Sequence, residues 1–164
     1  MKGLVVYHTK FGNGKIVAEA IAKGLEETGQ DVTVIDAAAK DVGGDFDFVV
    51  VGSPTRMGRM MGPAKHFIKR ELNAASWKGK PFVAVGTGFR PGDTDGKFDE
   101  FGARSAEYVY KALAKEGLKP LMEPQKFFIV ETKGPLEEGE EERALELGRS
   151  AGRELSTGSA GPQG

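Results

Sequence analysis

Two rhythms of apolar and polar positions alternate along this chain. The runs Leu4-Val5-Val6-Tyr7, Val32 to Ile35, Phe48 to Val51, Phe82 to Val85 and Phe127 to Val130 are apolar almost without interruption. Such continuity is the mark of strands covered on both faces, because a half-exposed strand would alternate. After the first run the spacing changes: Val17, Ala18, Ile21, Ala22 and Leu25 fall on one stripe of a helix. The same spacing predicts helices from Pro63 to Leu72, from Ala103 to Glu116, and from Leu136 to about Leu155, with Pro63 suited to a first helical turn. Strands alternating with helices imply an α/β fold, a doubly wound five-stranded parallel sheet with helices on both faces. Right-handed crossovers allow the strand order 2-1-3-4-5, which places a ligand beyond the carboxyl ends of the strands, where strands 1 and 3 diverge.

The 164 residues suit one domain, expected over 1–155, with Ser156 to Gly164 as a frayed tail lacking an apolar anchor. One domain must then hold any cofactor and perform any chemistry. A net charge of −1 provides no basic field for nucleic acid or an anionic membrane. With no cysteine and only two histidines, disulfides, thiol redox chemistry, iron–sulfur clusters and most transition-metal sites are excluded. His8 reads as a structural residue ending the first strand, His66 as a solvent-facing helix residue, and Trp77 as edge packing. Met1-Lys2-Gly3 leads directly into a strand without a signal-like apolar segment, and no apolar run approaches a membrane span. The expected location is cytoplasmic.

Two loops carry the chemistry. Thr9-Lys10-Phe11-Gly12-Asn13-Gly14-Lys15 joins the first strand to the first helix, and its glycines let backbone approach a ligand closely. A helix start offers unpaired N–H groups and the positive end of a dipole, the environment a phosphate requires. Lys15 has two readings, a phosphate contact or an ordinary solvated lysine. The second loop, Gly52-Ser53-Pro54-Thr55-Arg56-Met57-Gly58, is richer in charge and methionine than a connector needs. Gly14-Lys15-Ile16 lacks the upstream glycine and the Ser/Thr of a nucleotide-triphosphate P-loop. Gly12-x-Gly14 with Asp36 imitates a dinucleotide fingerprint, although Val17 replaces the third glycine and the glycines begin four residues after the strand.

Taken together, these segments resemble the short-chain flavodoxin-like proteins, which bind FMN, over nearly all of the chain from Lys2 to about Leu155. The resemblance implies that Thr9, Lys10, Phe11, Gly12, Asn13, Gly14 and Lys15 hold the phosphate, with two of the family loop's three hydroxyls missing. Pro54-Thr55-Arg56-Met57-Gly58 is similar to the second loop of flavodoxin-like NAD(P)H:quinone oxidoreductases. The resemblance places Gly58 beside flavin N5, where a glycine lets the peptide reorient as N5 gains a proton. A third stretch, Gly86-Thr87-Gly88-Phe89-Arg90-Pro91-Gly92, stands where these families flank the flavin, with Thr87, Gly88, Phe89 and Arg90 as contacts and Phe89 or Met57 packed on the ring.

Charge on the rim bears on the partner. Lys10, Lys15, Arg56 and Arg59 are uncompensated, whereas Arg90 and Lys97 are offset by Asp93 and Asp95. A basic rim would attract phosphorylated nicotinamide or an acidic redox protein. The expected function is an FMN-binding redox protein carrying electrons between partners, with NAD(P)H:quinone reduction as the enzymatic alternative. A binding or scaffolding module with weak flavin affinity is the third reading, and a dinucleotide-binding domain remains behind it.

Overall fold

The computed structural model describes residues 1–39, 42–90 and 102–158. In chain order its elements are β1 (Lys2–Tyr7), α1 (Asn13–Glu27), β2 (Asp31–Asp36), β3 (Phe48–Arg56), β4 (Arg59–Met60), α2 (Gly62–Glu71), β5 (Pro81–Phe89), α3 (Ser105–Lys115), β6 (Lys119–Pro120), β7 (Gln125–Ile129) and α4 (Glu140–Gly158). Parallel pairing runs β2-β1-β3-β5, and both β6 and β7 pair with β5. The expected order 2-1-3-4-5 is therefore present, with the fifth strand split into β6 and β7. β4 is an addition, a two-residue antiparallel strand that folds back on the end of β3.

The continuous apolar runs of β1, β3 and β5 are explained by two cores, one on each face of the sheet, while β2 at the edge is only partly buried. Leu4, Val6, Val49, Val51, Phe82 and Ala84 pack toward Phe67, Ile68, Val109 and Leu113 of α2 and α3. Their strand neighbours Val5, Val50, Val83 and Val85 face Val17, Ile21, Leu25, Ala144 and Ala151 of α1 and α4. Side chains alternate across a strand, so every position of a doubly covered strand meets a core. Trp77 is buried and stacks on Phe46 at 6.4 Å between centroids, while His66 is exposed on α2.

Three boundaries differ from expectation. β3 and β5 continue through Arg56 and Phe89, so much of both supposed loops is strand. The fourth helix starts at Glu140 rather than Leu136, because the chain after β7 first folds back on itself: Ile129 bridges Leu136, and the Glu137 N–H donates to Phe128 O at 2.9 Å. At its other end α4 takes up Ser156, Thr157 and Gly158, where a tail was expected, and the Ser156 hydroxyl donates to Gly152 O at 3.0 Å. The rest of that segment, 159–164, lies outside the described residues. Among the described residues no helix is long and apolar enough to cross a membrane.

Candidate functional site

A cleft of about 410 Å³ opens at the carboxyl ends of β1, β3 and β5. Thr9, Lys10, Phe11, Asn13 and Gly14 line one side, Pro54, Thr55, Arg56 and Met57 another, and Thr87, Gly88 and Phe89 the third. All three predicted segments thus meet in one concavity, at the divergence of β1 and β3.

The first wall is a strand-to-helix turn shaped by glycine. Gly12 sits at φ 96°, a left-handed value that costs other residues about 1 kcal/mol or more. Its N–H donates to Thr9 Oγ1 at 2.8 Å, which fixes the loop. A Cβ on Gly14 would stand 2.8 Å from the His8 carbonyl, so only glycine lets the helix start so close to the end of β1. No side chain caps α1, and its first turn holds no acidic residue. The leading N–H groups, which lack intrahelical partners by geometry, therefore remain for a ligand. Beneath this turn His8 has a buried Nδ1 with no hydrogen-bond partner. Burial lowers the pKa of its imidazole against an opposing pull from the Asp36 carboxylate, so it is neutral at neutral pH.

The second wall is a hairpin. Thr55 pairs with Met60 and Arg56 with Arg59, leaving Met57 and Gly58 as the two turn residues, at φ 53° and 75°. Positive φ at both positions defines the tight primed turn that suits strand twist. Met57 projects with 79% of its surface exposed, whereas Gly58 is buried. The hydroxyl of Thr55 is committed elsewhere: it donates to Ser105 Oγ at 2.8 Å and accepts the Ser105 N–H at 3.0 Å. Ser105 Oγ in turn donates to Ser53 O at 2.7 Å, which ties the hairpin to α3. Thr55 therefore reaches the cleft without a free hydroxyl.

On the third wall the glycines serve packing. A Cβ at Gly88 would lie 2.6 Å from Ala103 N, and one at Gly86 would come under 3.0 Å from Ala106 N. These residues let β5 press against the backbone that opens α3, and Thr87 and Phe89 face the cleft from the same strand.

Four of the sixteen predicted contacts do not line the cleft. Gly12 shapes its loop and Gly58 its turn, while Lys15 is exposed on the first turn of α1. Arg90 is engaged by Glu137 at 2.9 Å and lies over the Phe128 ring, 4.2 Å from its centroid. Pro91, Gly92, Asp93, Asp95 and Lys97 lie outside the described residues. Three lining residues escaped the sequence reading: Met61, Ile129 and Thr132. Ile129 and Thr132 follow from the rule that ligands sit at the carboxyl ends of all neighbouring strands, once the last strand is located. Among the described residues no cluster of His, Asp and Glu is arranged to hold a metal ion.

This architecture matches known proteins. A family model for the flavodoxin domain covers residues 4–130, and the chain belongs to that family. A flavodoxin from the domain Archaea superimposes with a TM-score of 0.74 at 24% identity, over 95% of this chain and 99% of that one. A flavodoxin of Aquifex aeolicus is 36% identical over 99 residues, 58% of this chain and 45% of that protein. NAD(P)H dehydrogenase (quinone) 3 of Rhizobium meliloti is 29% identical over 89 residues, 41% of this chain and 42% of that protein. The chain spans less than half the length of the curated relatives it matches.

Proposed function

We propose that this flavodoxin domain binds FMN in the cleft and carries electrons between redox partners. The observation that carries the reading is a cleft whose one end is the uncapped start of α1 and whose walls include Phe11, Met57 and Phe89. Its volume falls in the ~300–1,000 Å³ range of small-molecule sites. Thr9, Asn13 and the N–H groups of the first turn fit a phosphate, and Phe89 and Met57 offer the flat apolar contact a ring system requires. FMN, once bound, supplies one- and two-electron transfer. The chain's own residues bind and orient it: the loop holds the phosphate, the hairpin covers one edge of the ring, and Phe89 excludes water.

Each charge-assisted hydrogen bond to phosphate contributes about 1.5–3 kcal/mol, roughly one to two orders of magnitude in affinity. FMN should therefore bind at least about tenfold more tightly than riboflavin in a fluorescence-quenching titration. Equal affinities would remove the phosphate reading. Absence of quenching by either flavin would instead leave a binding or scaffolding module.

A second reading, NAD(P)H:quinone reduction, is favoured by the exposed cations Lys10, Arg56 and Arg59 around the cleft and by the similarity to the NAD(P)H dehydrogenase (quinone) 3 of Rhizobium meliloti. Steady reduction of a quinone by NAD(P)H in the presence of FMN would establish it.

A further inference from the structure

The phosphate loop is poor in hydroxyls, since Phe11 and Gly14 occupy two positions where the resemblance calls for them and the Thr55 hydroxyl is engaged by Ser105. Another hydroxyl lines the same cleft. Thr132 belongs to the segment that folds back after β7, far in sequence from either predicted loop.

This segment is a built strap. The Gly134 N–H donates to Glu131 O at 2.8 Å, closing a β-turn with Thr132 and Lys133 as its central residues. Val130 N–H donates to Pro135 O at 2.9 Å, and Glu137 N–H to Phe128 O at 2.9 Å, so the strap is zipped below the turn. Arg90 anchors its base through Glu137 and stacks on Phe128. The turn lies against the phosphate loop: a Cβ on Gly134 would fall 2.5 Å from Asn13 Oδ1 and 2.8 Å from its Nδ2. Gly134, at φ 98°, lets the strap approach the first residue of α1. Lys133 is exposed beside Thr132.

We infer that the 131–134 turn is the second half of the phosphate site, with the Thr132 hydroxyl donating to the FMN phosphate and Lys133 adding charge. This rests on the FMN reading above. A hydroxyl and a lysine from the strap replace the hydroxyls absent from the loop, and the site closes over the phosphate from two sides. Contacts from an exposed turn are screened by salt, so the contribution of Lys133 should fall as ionic strength rises, while that of the Thr132 hydrogen bond should persist.

The test is titration of the purified protein with FMN and with riboflavin. Thr132→Val, which keeps shape and removes the hydroxyl, is expected to weaken FMN about tenfold and leave riboflavin within about twofold. Thr132→Ser should restore FMN binding, and the apo-protein melting temperature should be the same in all three. Lys133→Ala should weaken FMN at low salt more than at high salt. If the unaltered protein prefers FMN but Thr132→Val binds it as well as before, the strap assignment is overturned and the phosphate reading survives. Equal loss of FMN and riboflavin in Thr132→Val also overturns it, since the hydroxyl would then act through the ring or the fold. If the unaltered protein does not discriminate between the two flavins, both readings fall together.

Discussion

The hydroxyl of Thr9 has two partners to serve. It accepts the Gly12 N–H, which shapes the loop, and its own proton remains to donate into the cleft. Thr9→Ala should weaken FMN by about one order of magnitude or more and riboflavin far less, with Thr9→Ser close to the unaltered protein by fluorescence titration. Lys15 differs, being exposed and outside the cleft lining. Loss of FMN affinity in Lys15→Ala at low salt would place its ammonium on the phosphate, and no change would leave it solvated. Gly58 illustrates why a residue and its backbone must be tested separately. It occupies φ 75° in the hairpin turn, so Gly58→Ala carries about 1 kcal/mol of left-handed strain whatever the ligand. The proposed place beside flavin N5 predicts altered midpoint potentials as well. Redox titration alongside the apo-protein melting temperature separates the two: lowered melting with unchanged potentials would assign Gly58 to turn geometry alone.

Elements carry their own tests, and Glu140 at the start of α4 provides one. It is 5% exposed, accepts the Phe128 N–H at 2.8 Å and pairs with Arg143 at 2.8 Å, pinning α4 to β7. Burial pushes its carboxyl up, but the Arg143 guanidinium and the Phe128 N–H outweigh this and hold it below the usual carboxylate range. Its folded pKa is thus lower than the unfolded value of about 4.3, so its contribution is complete above that value and is lost as pH falls through the folded one. Glu140→Gln should therefore cost about 1–3 kcal/mol at neutral pH, and its melting temperature should converge with that of the unaltered protein only as pH falls through the lowered folded pKa. The same scale explains which parts of the fold were legible. The apolar runs of β1, β3 and β5 and the amphipathic stripe of α1 were readable because burial on two faces and on one face leave different periods, whereas β2 and β7 are apolar runs that the fold only partly buries. The extra lengths of β3 and β5 were not: Gly52-Ser53-Pro54-Thr55 and Gly86-Thr87-Gly88 look like loops by composition. They are strands because neighbours hold them, with Pro54 paired to Thr87 in register and the glycines of β5 admitting the backbone before α3. The strap was hidden for the same reason, since its ladder is a few long-range hydrogen bonds and its residues show neither period.

On the scale of the whole molecule, charge is distributed against the total. The chain carries −1 overall, yet Lys10, Lys15, Arg56 and Arg59 are all exposed on the two segments that frame the cleft. Arg90, paired with Glu137, contributes less to this field than its sequence position implies. Such a rim raises the encounter rate of an anionic partner and is screened by salt over roughly 10 Å at 0.1 M. It fits two partners, and they can be distinguished. If the rim receives the 2′-phosphate of NADPH, flavin in the reconstituted protein should be reduced faster by NADPH than by NADH, and the ratio should shrink as salt is added. Arg56→Ala combined with Arg59→Ala should then slow NADPH selectively and leave NADH nearly unchanged. If the rim docks an acidic redox protein, neither nicotinamide should reduce the flavin at a useful rate. Arg59→Ala alone should then lower the salt-dependent association rate with an acidic electron carrier and leave FMN affinity intact, because Arg59, unlike Arg56, lies outside the cleft lining. Stopped-flow reduction at two ionic strengths decides between them. The carrier outcome is the one expected on the function proposed above, which asks of the cleft that it hold the flavin and present it to a partner.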